Sequence, residues 1–259
     1  MKDVKAVAVE MAREAGEFLR ATLTSAHKID YKGEIDLVTE ADKISEEMLT
    51  TKIDHLFPDH DILAEEFTHT GKGSDFRWII DPLDGTTNYA HGYPVFCVSI
   101  ALQKLNNIIL GIIYNPMLEE MFVAEKGQGA FLNGGKIVVS NTLTLAKSLL
   151  ATGFPYDVRE SRVNNLNCFN AMILKARGIR RAGSAALDLA YLAAGRFDGF
   201  WEIKLNPWDT AAGWLMVEEA GGVVTDMRGK GYHLESPVIV ASNGRIHEEM
   251  VNILNRASI

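Results

Sequence analysis

The segment Asp81-Pro82-Leu83-Asp84-Gly85-Thr86-Thr87-Asn88 sets two carboxylates three positions apart. The apolar run Trp78-Ile79-Ile80 before it reads as a buried strand that delivers Asp81 at its end. Pro82 lacks an N–H and fixes φ, so the strand ladder is expected to stop there. Asp84 and Gly85 then turn the chain, and Thr86 can open a helix. Two acids would thus sit beside a helix start whose first N–H groups have no intrahelical acceptor. Close carboxylates repel each other unless a cation lies between them, and a helix start attracts phosphate. A divalent metal and a phosphate together satisfy both demands. The same residue types also build an ordinary surface turn, so this segment alone leaves both readings open.

Other acids face the same choice. Glu65-Glu66 follows the apolar pair Ile62-Leu63 and is either a solvated face or a ligand pair. Asp209, in Asn206-Pro207-Trp208-Asp209-Thr210, begins an apolar helix, where an acid also serves as a plain N-cap. Asp42 lies in the first turn of another helix. Glu202, after Phe200-Trp201, could accept bonds from sugar hydroxyls or simply end a strand. Arg180-Arg181 precedes a Gly183-Ser184 turn and could meet a second phosphate. Hard oxygen donors of this kind suit Mg²⁺. The chain has no HExxH, HxH or CxxC pattern and its seven histidines are scattered, which argues against zinc. It also lacks a GxxxxGK[ST] loop.

The elements that must position these residues alternate between helix and strand. Val4, Val7, Ala8, Met11, Ala15, Phe18 and Leu19 fall at helical spacing, predicting an amphipathic helix over about residues 3–23. A loop, His27 to Asp36, is expected next, then a helix opened by Thr39-Glu40-Ala41-Asp42 and ended before Pro58. Val95 to Lys104, Ile108 to Asn115 and Met121 to Glu125 read as an antiparallel meander, with Gly127, Gly129, Gly134 and Gly135 punctuating its end. Beyond it come a strand at Ser148–Thr152, helices at Asn164–Lys175, Ser184–Ala194 and Asp209–Ala220, short strands at Val223-Val224 and Val238–Ala241, and a last helix at Ile246–Leu254. Gly71-Lys72-Gly73 and Lys32-Gly33 read either as lids near the acids or as plain surface loops. The whole is a layered α/β (α+β) fold with a largely antiparallel component. It divides at about residue 144 into an N-terminal α+β part, 1–144, and a C-terminal α/β part, 145–259, with the site between them in one compact unit.

Composition sets the outer limits. The 259 residues are 47% hydrophobic and 23% charged, with a net charge of −8 and no dense Lys/Arg run. That disfavours nucleic acid as the main partner. An acidic protein can still handle phosphate esters if divalent cations sit between the two. Cys97 and Cys168 read as free buried thiols, in keeping with a reducing cytoplasm. The N-terminal stretch carries charges throughout and lacks a signal-peptide core. No apolar run approaches the ~20 residues that span a bilayer.

Taken together these segments resemble the inositol monophosphatase family. Trp78-Ile-Ile-Asp-Pro-Leu-Asp-Gly-Thr-Thr-Asn88 is similar to the family's first signature. Asn206-Pro-Trp-Asp-Thr-Ala-Ala-Gly213, followed by Glu218-Glu-Ala-Gly-Gly222, is similar to the second. Asp36-Leu-Val-Thr-Glu-Ala-Asp42 and Glu65-Glu66 match in order and spacing, with Ala64 standing where members commonly carry Gly. The resemblance spans essentially the whole chain. It implies a five-layer αβαβα sandwich of the sugar-phosphatase type. It implies that Glu65, Asp81, the Leu83 carbonyl and Asp84 bind two Mg²⁺ ions, that Asp209 joins the second, and that Asp42 lies near a third, weaker one. Gly85 and Thr86 N–H groups would hold phosphate. Gly183-Ser184-Ala185, Glu202 and Asp209 would contact substrate hydroxyls. Thr86 with Glu65 would orient and deprotonate a metal-activated water, with Asp84 among the catalytic acids and no phosphoenzyme formed. Inhibition by Li⁺ and a homodimer are implied as well.

The expected activity is hydrolysis of a small polyol or sugar phosphate, with inositol monophosphate first and fructose 1,6-bisphosphate, alone or in addition, second. Relatives in the family also take 3′-phosphoadenosine phosphates or histidinol phosphate. A haloacid-dehalogenase type of phosphatase is disfavoured, because two residues separate Asp81 from Asp84 where that type has one. A regulatory protein that binds transcription machinery is the alternative of another class.

Overall fold

The computed structural model describes residues 3–23, 29–31, 37–66 and 69–257. Asp36 and Lys32-Gly33 lie outside them. Asp3 caps the first helix, α1 (Val4–Thr22), its carboxylate accepting from the N–H groups of Lys5 and Ala6. Strands β1 (Ile29–Tyr31) and β2 (Leu37–Thr39) pair antiparallel. Part of the stretch expected to be loop is therefore strand, because two short segments close on each other. Next come α2 (Glu40–Leu56), β3 (Asp61–Ala64), β4 (His69–Thr70), β5 (Phe76–Asp84) and α3 (Thr86–Ala90). The meander follows as β6 (Cys97–Lys104), β7 (Asn107–Asn115), β8 (Glu120–Glu125), β9 (Gly129–Leu132) and β10 (Gly135–Ile137). The remainder is β11 (Leu149–Thr152), α4 (Leu166–Ile173), β12 (Gly178–Arg180), α5 (Ala185–Ala193), β13 (Gly199–Ile203), α6 (Pro207–Glu219), β14 (Val223–Thr225), β15 (Val238–Ser242) and α7 (His247–Ala257).

The larger sheet has eight strands in the order β10-β9-β8-β7-β6-β5-β3-β4, and every pair is antiparallel except β3 with β5. The smaller one has the order β12-β11-β13-β15-β14, with β11 parallel to both its neighbours. Three apolar clusters hold the layers together. One joins α1 and α2 to the outer face of the large sheet through Met11, Leu19, Leu49, Trp78 and Ile112. Another sets α5 and α6 between the sheets, through Leu187, Leu189, Leu215, Ile113 and Phe200. A third packs α4 and α7 on the far side of the small sheet through Met172, Trp201 and Leu254. The order of layers is α-β-α-β-α. Among the described residues no helix is long and apolar enough to cross a membrane.

Two local expectations are corrected. Strand β5 does not end at Asp81. Its register with β6 slips between Asp81 and Asp84, and pairing resumes at Asp84 opposite Cys97. Pro82 removes one donor, and the ladder absorbs that loss as a bulge instead of terminating. Helix α6 begins at Pro207, with Asn206 as its N-cap, so Asp209 is the third helical residue. Proline is well suited to the first helical position, where its missing N–H costs nothing.

Candidate active site

Strands β3 and β5 run parallel, with Ala64 opposite Ile80. The next residue along each strand therefore lies beside the other at the C-terminal end of this parallel pair, which brings Glu65 to Asp81. Their side chains are hydrogen-bonded. Asp81 Oδ1 also accepts from Leu83 N at 3.0 Å, which folds the bulge back on itself. At the end of the bulge Asp84 Oδ2 accepts from Ser184 Oγ and from Ala186 N, each at 2.7 Å. Ser184 is the N-cap of α5, so the middle layer locks directly onto the acid.

Gly85 has φ +102°, and a Cβ there would meet Val95 O at 2.9 Å, so only glycine makes this turn without strain. Helix α3 starts immediately after it. Thr86 Oγ1 lies 3.0 Å from Asp42 Oδ1 and 3.1 Å from Leu83 O. Its one proton serves one of them at a time. Across the cleft, Asn88 Nδ2 donates to Val95 O at 2.7 Å and to Ala182 O at 2.8 Å, tying α3 to the turn before α5. Asp209, inside the first turn of α6, accepts from Asn206 N at 2.7 Å.

These elements enclose a cavity of about 330 Å³. Of the residues singled out in the sequence, Glu65, Asp81, Leu83, Asp84, Gly85, Thr86, Gly183, Ser184, Ala185, Glu202 and Asp209 line it. Asp42 does not; it is fully buried behind Thr86. Arg181 lines the cavity, whereas Arg180 is exposed and turned to Ile179 O. In the structure the Gly71-Lys72-Gly73 stretch is an exposed loop. It is absent from the wall, and Lys72 is tied to Asp61, Asp54 and Pro58 instead.

Asp188, Gly153, Tyr156, Asp157 and Lys204 were not foreseen on the wall. Asp188 sits in a run of Ala and Leu that reads only as a core helix. Gly153 follows a strand with no motif of its own. A Cβ at Gly153 would lie 2.5 Å from Glu202 Oε2 and closer still to Oε1 and Cδ, so the glycine leaves room for that carboxylate.

The electrostatics are one-sided. Seven acids line the cavity, and Arg181 and Lys204 are the cationic side chains among its lining residues. Burial holds the Asp81 carboxyl well above its ordinary range, with Glu65, Asp84 and Asp209 adding to the effect. Burial, then Asp84, pushes Asp209 up to about 7. Burial, then Asp209 and Asp84, pushes Glu202 up to about 8, with Arg181 opposing. Buried carboxylates cost free energy unless cations or donors compensate them. Oxygen-only donors with excess negative charge fit a hard divalent cation. Among the described residues no three His, Cys, Asp or Glu side chains are drawn into a ready coordination shell. The acids are instead distributed along the wall. Cys97 and Cys168 are buried thiols, with Cys97 Sγ 3.8 Å from Asp84 Oδ2.

Residues 1–258 match the model of the inositol monophosphatase family. "Nus factor SuhB" of Pseudomonas aeruginosa is 41% identical over 98% of this chain and 96% of its own. "Inositol-1-monophosphatase" of Synechocystis is 45% identical over 96% of this chain and 87% of its own. The crystal structure of the extragenic suppressor protein suhB from Bartonella henselae superimposes with a TM-score of 0.91 at 40% identity, covering 98% of each chain. The chain belongs to the inositol monophosphatase family, whose members are phosphoric monoester hydrolases.

Proposed function

We propose that this chain hydrolyses the phosphate monoester of a small polyol, inositol monophosphate foremost, with Mg²⁺ held by Glu65, Asp81, the Leu83 carbonyl, Asp84 and Asp209. The observation that carries this reading is the concentration of buried acids on one wall beside the α3 start. Bound there, divalent cations would supply acidification of water and neutralisation of phosphate charge. The protein's own residues supply position. Gly85 and Thr86 offer N–H groups to the phosphate. Thr86, seated on Asp42, and Glu65 form the proton-accepting side. Ser184 and Ala186 keep Asp84 aimed. Asn206 N fixes one oxygen of Asp209. Glu202 and the Gly183-Ser184-Ala185 turn face the polyol. A cavity of about 330 Å³ is at the small end of the range of roughly 300–1,000 Å³ for ligand sites. That favours a sugar-sized ester over an adenosine bisphosphate. Arg181 on the wall leaves fructose 1,6-bisphosphate as the second substrate.

Phosphate release from inositol 1-phosphate, fructose 1,6-bisphosphate and 3′-phosphoadenosine 5′-phosphate, each with and without Mg²⁺, tests the reading. Asp84→Asn and Asp209→Asn should each remove most of the turnover and also reduce the rise in melting temperature that Mg²⁺ confers. Near-full Mg²⁺-dependent activity in either variant would show the assignment to be wrong. The name of the Pseudomonas relative motivates a second role, association with transcription machinery. Pull-down with RNA polymerase separates that role from catalysis.

A further inference from the structure

Helix α5 is apolar but for Asp188 and Tyr191. Asp188 is 2% exposed, and its Oδ1 has no hydrogen-bond partner. An unpaired buried carboxyl oxygen in a packed helix is costly and calls for an explanation. The helix supplies one. Asp188 stands four residues after Ser184, so both lie on the same face, and both line the cavity. Asp84, Glu202 and Arg181 are the charged groups that act on it. Asp188 thus faces the end of the cavity where Glu202 and Arg181 also sit, with an oxygen that nothing in the protein engages.

We propose that Asp188 is a substrate-binding residue: its carboxyl group, which no hydrogen bond among the described residues engages, takes a hydroxyl of the bound polyol, alongside Glu202, and so selects polyhydroxylated esters over simple ones. This rests on the reading of the cavity as a polyol phosphate site. A carboxyl satisfied only by ligand explains why an acid is kept where the helix would be more stable with leucine. Function and stability then pull in opposite directions at this position.

The experiment compares the parent chain with Asp188→Leu and Asp188→Asn. KM and kcat are measured on inositol 1-phosphate and on phenyl phosphate, which has no hydroxyl to offer. Melting temperatures and calorimetric binding of inositol 1-phosphate are measured in parallel. Asp188→Leu should raise KM for inositol 1-phosphate by about tenfold or more. Its loss on phenyl phosphate should be several-fold smaller. Its melting temperature should equal or exceed the parent's, and Asp188→Asn should restore most of the affinity. Equal losses on both esters, or a lower melting temperature with no change in KM, would overturn the proposal. A parent chain that hydrolyses neither ester sinks the phosphatase reading. The calorimetric contrast still decides the role of Asp188 in that case: tighter binding by the parent than by Asp188→Leu supports it, and equal or undetectable binding overturns it.

Discussion

Replacing Gly153 with alanine tests how closely the Glu202 carboxylate is held against the cavity wall. The added Cβ would stand 2.5 Å from Glu202 Oε2 and nearer to the other two carboxyl atoms. Ordinary contact requires roughly 3.5 Å, so the carboxylate must retreat by about 1 Å or more. Glu202 is 8% exposed and has little room to do so except into the cavity itself. A displacement of about 1 Å at a positioning group can cost on the order of 10²-fold in rate, or about 2.7 kcal/mol of transition-state stabilisation. Overpacking should also destabilise the fold by about 1–3 kcal/mol. The assay is kcat/KM on inositol 1-phosphate for Gly153→Ala, Glu202→Gln and the double variant, with melting curves for each. If the alanine acts through Glu202, the double variant should be little worse than Glu202→Gln alone. Losses that simply multiply, or a Gly153→Ala enzyme with parental KM and kcat, would refute this reasoning.

Other perturbations have equally definite outcomes. A Cβ at Gly111 would meet Ala212 O at 2.8 Å, backbone that cannot swing away. Gly111→Ala should therefore push α6 off β7, cost about 1–3 kcal/mol and lower the calorimetric melting temperature by roughly 2–4 °C per kcal/mol. Ser184→Ala removes both the cap of α5 and a bond to Asp84; a loss of about 1–2 kcal/mol in urea unfolding is expected. His247 lies between Ser242 Oγ and Thr225 Oγ1, each at 2.9 Å, and burial lowers its pKa below 6.5. The unfolded chain takes up that proton more readily, so the contribution of His247 is full above about pH 6.5 and fades as pH falls through the folded-state value. His247→Gln should flatten the decline in unfolding free energy between about pH 7 and about pH 5; identical declines in both proteins would count against it.

Elements with strong periodicity were legible in the sequence. The spacing from Val4 to Leu19 marks α1, and the alternation from Cys97 to Glu125 marks the meander. Weak patterns hid others. β9 and β10 lie among glycines that look like punctuation: β9 has four residues, and β10, at the sheet edge, three. β12 has equally little pattern, three residues beginning with glycine, whereas β13 was marked only by Glu202 after Phe200-Trp201, read as a possible strand end. The acids could be picked out by type, but their meeting could not. It depends on β3 lying parallel beside β5 and on α5 and α6 closing over both, pairings that local spacing does not encode. The family resemblance supplied what periodicity lacked. Asp188 stayed invisible because one acid does not disturb the pattern of a buried helix.

The wall of the cavity is also ordered in time. Glu65, Asp81 and Asp84 belong to the first third of the chain, whereas Asp209 comes 125 residues after Asp84. During synthesis the early acids emerge with neither α5 nor α6 yet made, so nothing covers them and their fourth companion does not exist. Until Asp209 is added, the wall of the cavity is incomplete. The cavity gains its last acid only once α6, late in the chain, has been made.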